Sequence, residues 1–223
     1  MKTKIPKSYL GIVIILGAVW GFSEAALGMW LRSCASMYSG AIMTGVALFF
    51  IASSWFLTRK ILCLVLLVGI AVLFKMFDAL LLSLPLLHGA IGNPIFAFLM
   101  EALAFLLLIA VFNPALRQKP GAQAVLGGMA ALVAVNLFPL VKFVTGIPAC
   151  VVPGTGYPLS LYYAPWAVLL SALTVPLGAL VGVKLQSAET FFQTSAKFRK
   201  LGYLFPSGTL LLGLVVITLI RLG

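Results

Sequence analysis

Acidic side chains are scarce in this chain: 4 Asp and Glu stand against 15 Lys and Arg in 223 residues. Histidine occurs once, as His88, and cysteine three times. Charged residues make up 9% of the sequence and hydrophobic ones 63%, whereas a soluble domain carries about 25% charge. This shortage excludes a water-soluble core. One histidine and three cysteines give no zinc-ligand spacing, and no metal centre or cofactor is expected. The single aspartate, Asp78, speaks against aspartate-rich motifs that bind magnesium pyrophosphate. No GxSxG, HExxH or suitably placed GxGxxG marks an enzyme, and no ATP-binding sequence is present. Internal repeats, low-complexity tracts and long linkers are lacking too. The chain reads as one membrane domain over 1–223, with no separate soluble catalytic domain.

What is present is long apolar runs. About twenty apolar residues cross a bilayer, and seven segments meet that rule: Tyr9–Leu31, Gly40–Leu57, Ile61–Leu87, Gly92–Phe112, Gly121–Phe143, Tyr163–Val183 and Tyr203–Ile220. In lipid only helices or closed barrels satisfy their backbone, and unbroken runs of this length are not barrel strands. The fold class is therefore all-α, a polytopic membrane bundle of about seven helices. The basic start MKTKIPKSYL leads into an apolar run too long for a signal peptide and with no cleavage site, so it reads as a retained first helix.

The net charge of +11 reads as an orientation signal rather than a nucleic-acid surface. With the N-terminus inside, Lys2, Lys4, Lys7, Arg59, Lys60, Arg117, Lys119, Lys184, Lys197, Arg199 and Lys200 fall on the inner side. Arg32, Lys142 and Arg221 alone fall outside. This bias places the N-terminus in the cytoplasm and the C-terminus outside. The location expected is the plasma membrane, the inner membrane in a bacterium. Trp30, Tyr38, Tyr157, Tyr162, Tyr163 and Trp166 then form an outer aromatic belt, with Tyr9, Trp55 and Tyr203 at the inner interface.

Against this background the buried charges stand out. Glu24, Lys75, Asp78 and Glu101 all fall inside apolar runs. Ionisable groups in hydrocarbon are costly; they face the bundle interior, find partners and mark sites or pathways. Lys75 and Asp78 are three residues apart and share a face. By depth the four can meet in the central to outer half of the bundle. Two readings stay open. In one, the three acids bind a cationic or zwitterionic solute, with Lys75 as counter-ion. In the other, they are a structural network joining the first, third and fourth helices.

Around them, Trp20, Phe74 and Phe77 are candidates for an aromatic wall. Asn93, ahead of Pro94, fits a turn that starts a helix, within the tight external turn His88–Pro94. Asn136 is placed to reach the same centre, and His88 stands at the entrance. A Pro- and Gly-rich outer stretch, Thr145 to Pro165, reads equally as a lid and as a plain connector. Phe191, Phe192 and Phe198, beside Lys197, Arg199 and Lys200, suit a short interfacial helix. Cys34 and Cys150 both fall outside, where a disulfide and two free thiols are equal alternatives.

Gly17, Gly21, Ala25 and Gly28 give the first helix a small-residue face that another helix can approach closely. With the acids and the basic cytoplasmic side, this resembles the substrate-binding S components of energy-coupling-factor transporters. The resemblance implies capture of a small-molecule solute from outside, with a membrane coupling subunit and cytoplasmic ATPases as partners beyond the lipid bilayer. The expected function is thus a transporter or transporter subunit with an outward-facing polar pocket lined by Glu24, Lys75, Asp78, Glu101, Trp20, Asn93, Asn136 and His88. The alternatives are an assembly subunit of a membrane complex and, third, an intramembrane lipid-modifying enzyme.

Overall fold

The computed structural model describes residues 7–34, 36–113, 118–152, 154–194 and 196–222, with side chains for 9–26, 38–113, 118–152, 154–188 and 205–221. The elements are α1 (Lys7–Cys34), α2 (Ser36–Thr58), α3 (Ile61–Leu81), α4 (Gly89–Val111), α5 (Pro120–Leu137), a single 3-10 turn (Phe138–Leu140), α6 (Val141–Thr145), α7 (Leu159–Thr194) and α8 (Ala196–Leu222). Among the described residues, six stretches are long and apolar enough to cross a membrane: five in single helices and one in Pro120–Thr145. α8 adds a shorter apolar stretch, Phe205–Arg221. Leucines such as Leu62, Leu80, Leu107, Leu173 and Leu212 are more than half exposed, a surface that fits lipid and not water. The protein is an integral, multi-pass membrane protein.

The third span is shorter than expected. α3 stops at Leu81, and residues 82–88 form turns in which Ser83 takes a left-handed φ of 52°. The expected turn at His88–Pro94 is instead the start of α4. His88 is its N-cap, its ring Nδ1 accepting a hydrogen bond from the Ala90 N–H at 3.2 Å. The fifth span breaks at Pro139, where the backbone tightens into the 3-10 turn before α6. α7 runs on to Thr194, 36 residues in all, or about 54 Å at helical rise. Among the described residues no separate interfacial helix forms: Phe191 and Phe192 lie on α7 and Phe198 on α8, with side chains outside the described residues. The outer stretch after α6 closes on itself as a small loop, bridged between Val151 and Pro158, with Gly154 at φ 76°.

The bundle is built around α2 against α7, its most extensive contact. Glycines make this possible. A Cβ on Gly178 or Gly182 would strike the backbone carbonyls of Phe49 or Ser53 on α2. α5 flanks α7 in the same way, through Gly127 against the carbonyl of Ser171. On the far side, α1 lies against α3, where Gly17 meets Ile70 and Gly21 meets Phe74. The small-residue face of α1 is thus already packed within its own chain over Gly17 and Gly21. Gly28 lies outside the residues whose surroundings are described. α8 rests on α1 and α3 through a smaller cluster containing Ile70, Phe74 and Ile217.

The α1–α2, α3–α4 and α5–α7 connections share one end of the bundle. Arg59, Lys60 and Lys119 lie at the other. Tyr38, Tyr157, Tyr162 and Trp166 are exposed around the first end, as a belt requires. Tyr163 instead turns inward, and Trp55 packs against Phe105 with ring centroids 6.5 Å apart.

Candidate functional site

Glu24, Lys75, Asp78 and Glu101 are all buried, each at most 6% exposed. They form a chain of neighbours, in which Lys75 bonds Asp78 and acts on Glu24, and Glu24 acts on Glu101. A cavity of about 190 Å³ opens among α1, α2, α3, α4 and α7, near the end that carries the α3–α4 connection. Glu24, Lys75 and Glu101 line it, and Asp78 does not.

Asp78 is held elsewhere, by a residue that the sequence pattern placed at the outer interface. Arg221, near the end of α8, grips it with two parallel bonds, Nε to Oδ1 at 2.6 Å and Nη2 to Oδ2 at 2.9 Å. Lys75 adds a third, Nζ to Oδ2 at 3.3 Å. The fork of guanidinium on carboxylate is the strong form of an ion pair. Asp78 therefore ties α8 to α3 and does not line the cavity. Arg221 escaped the sequence reading because Arg at a helix end ordinarily marks the interface. Only the parallel run of α3 and α8 brings it to Asp78.

Lys75 thus stands between two environments. It bonds Asp78 on its own helix, and its ammonium also acts electrostatically on Glu24 across the α1–α3 contact. Glu24 in turn faces Glu101, and Thr44 of α2 stands beside the Glu101 carboxyl. Oε2 of Glu101 is buried with no hydrogen-bond partner. Glu101 lies three turns into α4, about 18 Å from Gly89 by helical rise, so it forms the deep part of the cavity. Two turns nearer the mouth, on the same stripe, is Asn93. It lines the cavity and also keeps Oδ1 buried without a partner.

The expected aromatic wall is replaced by another. Trp20 is fully buried in the core, its ring stacked on Phe50 at 6.4 Å and tilted on Phe98 at 5.0 Å. Phe74 is wedged beside Gly21 and Gly213, between α1 and α8, and Phe77 packs against the same cluster. The rings that line the cavity are Phe98, Phe138 and Tyr163. The sequence offers a signal for one of them, since Phe138 precedes the helix-breaking Pro139; the Tyr163 ring lies over Gly40, a tertiary contact that local spacing does not show.

Two further expected residues fall away. Asn136 is exposed on the outside of α5, where its amide donates to the Leu132 carbonyl at 2.8 Å. His88 is exposed and occupied as an N-cap. Of the stretch from Thr145 to Pro165, Tyr163 is the one described residue that lines the cavity. Cys150 is an exposed free thiol; the side chain of Cys34 lies outside the described residues. Among the described residues, no three of His, Cys, Asp and Glu gather closely enough to hold a metal ion together.

A second, smaller void of about 20 Å³ adjoins the first, between α2, α4, α5 and α7. Glu101, Thr44, Phe138 and Tyr163 line both. The arrangement can hold a positive group at depth, against carboxylates, with rings alongside and an amide nearer the mouth. No protein-family model, curated protein or solved structure matches the chain.

Proposed function

We propose that this membrane protein binds a small cationic or zwitterionic solute in the cavity between Glu24 and Glu101, as a transporter or the solute-capturing subunit of one, with the cavity facing outward. The observation that carries this reading is the buried Glu101, lining a cavity with an acceptor oxygen left unpartnered. Leaving a buried acceptor unsatisfied costs stability, and a ligand that donates to it would repay that cost. The charge balance points the same way. Glu24, Asp78 and Glu101 against Lys75 and Arg221 leave three negative and two positive groups, a net of minus one when all are ionised. One positive charge completes the set.

A second reading, an assembly subunit, draws on the Asp78–Arg221 pair, which serves helix packing alone. The two readings divide the charges between them: Asp78 and Arg221 are architecture, while Glu24 and Glu101 are the site. The resemblance to S components would make a coupling subunit and ATPases the source of energy. Gly17 and Gly21 face α3, so such a partner would dock on another surface.

Glu101→Gln keeps the size and removes the charge. Solute uptake, or binding to purified protein, is expected to fall by at least about 10-fold, as for losing a charge-assisted hydrogen bond worth about 1.5–3 kcal/mol. The melting temperature should stay near that of the parent. Undiminished uptake in folded Glu101→Gln and Glu24→Gln proteins would remove the proposal.

A further inference from the structure

Resting on that reading, we infer that the ligand is a monovalent organic cation: a protonated amine at one end, a flat apolar body, and a neutral hydrogen-bond donor at the other end. Two orphaned acceptors on one helix define its length. Asn93 Oδ1 and Glu101 Oε2 are both buried without partners, and both residues line the cavity from α4. They are eight residues apart, so they share a face, with a helical rise of about 12 Å between them. That rise is between the two backbones and bounds the span, so a ligand reaching both oxygens carries its two donors no more than about 12 Å apart.

The stretch between these ends is apolar. Pro94, Ala97 and Phe98 of α4 fill it, with Phe138 and Met43 opposite. A second charge has no place there, since burying an unpaired ion is expensive. With Glu24, Asp78, Glu101, Lys75 and Arg221 all ionised, the balance leaves room for one positive charge. An ammonium with N–H bonds meets the need of Glu101 Oε2, while a quaternary ammonium would leave the oxygen unpaired. A bare metal ion would need several oxygens around it. Beside Glu24 and Glu101 the lining also holds Lys75, Thr44 and Tyr163, of which only Lys75 is charged.

The inference is tested by equilibrium binding to the purified full chain in nanodiscs, with four probes: tyramine, phenethylamine, tetramethylammonium and magnesium ion. Tyramine carries both donors and phenethylamine lacks the outer one. The expected order is tyramine, then phenethylamine weaker by about 5- to 10-fold, then tetramethylammonium and magnesium without saturable binding. Asn93→Ala is expected to abolish the preference for tyramine over phenethylamine. Glu101→Gln should weaken both amines at least 10-fold.

Equal binding of tetramethylammonium or magnesium, or an Asn93→Ala protein that still prefers tyramine, overturns the inference. If such binding is lost in Ala97→Trp, which fills the cavity, the solute-site reading survives that failure. Absence of saturable binding for all four probes overturns the inference. It reaches the broader reading only if zwitterionic amino acids also fail to bind.

Discussion

Replacing Asp78 with alanine should destabilise the protein by about 3–5 kcal/mol, the usual consequence of removing one partner from a buried ion pair. Asp78 is 1% exposed and accepts from both Arg221 and Lys75. Without it, two cations remain in a low-dielectric interior with one fewer counter-charge, and the link between α8 and α3 is cut. Arg221→Gln alone should cost less, because Lys75 still faces the aspartate and the arginine side chain keeps 12% of its surface exposed. The double variant Asp78→Asn, Arg221→Gln should recover part of the loss, with a coupling of about 1–3 kcal/mol. Thermal or denaturant unfolding in detergent measures each. An Asp78→Ala protein within about 1 kcal/mol of the parent would mean that the pair does not hold α8 in place.

The second large effect is at the α2–α7 crossing. Gly178→Val should cost about 3 kcal/mol or prevent folding. Overpacking costs about 1–3 kcal/mol where side chains can shift. Here the obstacle is the backbone of α2: a Cβ on Gly178 would run into the Phe49 carbonyl and lie 3.1 Å from Ala52 Cβ. Gly182 repeats the situation one turn on, with the Leu57 nitrogen 2.9 Å from the added carbon. The two helices would have to separate along the face where they pack most closely. Gly69→Ala provides the contrast. Nothing lies within 4 Å of its added Cβ, so the substitution should be neutral or stabilising by roughly 0.5–1 kcal/mol from helix propensity. Melting temperatures of the pair decide the point: a Gly178→Val protein as stable as Gly69→Ala contradicts this packing.

The contrast between these positions shows where sequence is informative and where it is not. The spans were legible because hydrocarbon length and backbone satisfaction leave few solutions, and each of the six long apolar stretches overlaps one expected run. Their ends were not, because local hydrogen bonds set them: capped by His88, α4 starts at Gly89, three residues before the expected Gly92. The inward turn of Glu24, Lys75, Asp78 and Glu101 was legible, since no buried charge can face lipid cheaply. Their division into a cavity and an ion pair was not. It depends on α8 running parallel to α3, a tertiary fact with no trace in local spacing. Lys75 and Asp78 look alike by position, yet only Lys75 lines the cavity. Asn136 misled for the opposite reason: an amide in an apolar helix can satisfy itself on its own backbone, at Leu132, and need not seek a polar centre.

The central claim is a water-reachable cavity inside the bundle, open on the side away from the basic connections. Thiol labelling in sealed, oriented vesicles tests it most directly. In a protein with Cys34, Cys63 and Cys150 replaced, Ala97→Cys and Met43→Cys sit on the cavity wall, and Leu132→Cys sits on the exposed outside of α5. The cavity predicts that a membrane-impermeant thiol reagent labels Ala97→Cys and Met43→Cys from the side of the α3–α4 connection and leaves Leu132→Cys untouched. Labelling only from the side of Arg59 and Lys60, or none at either cavity position, would contradict it.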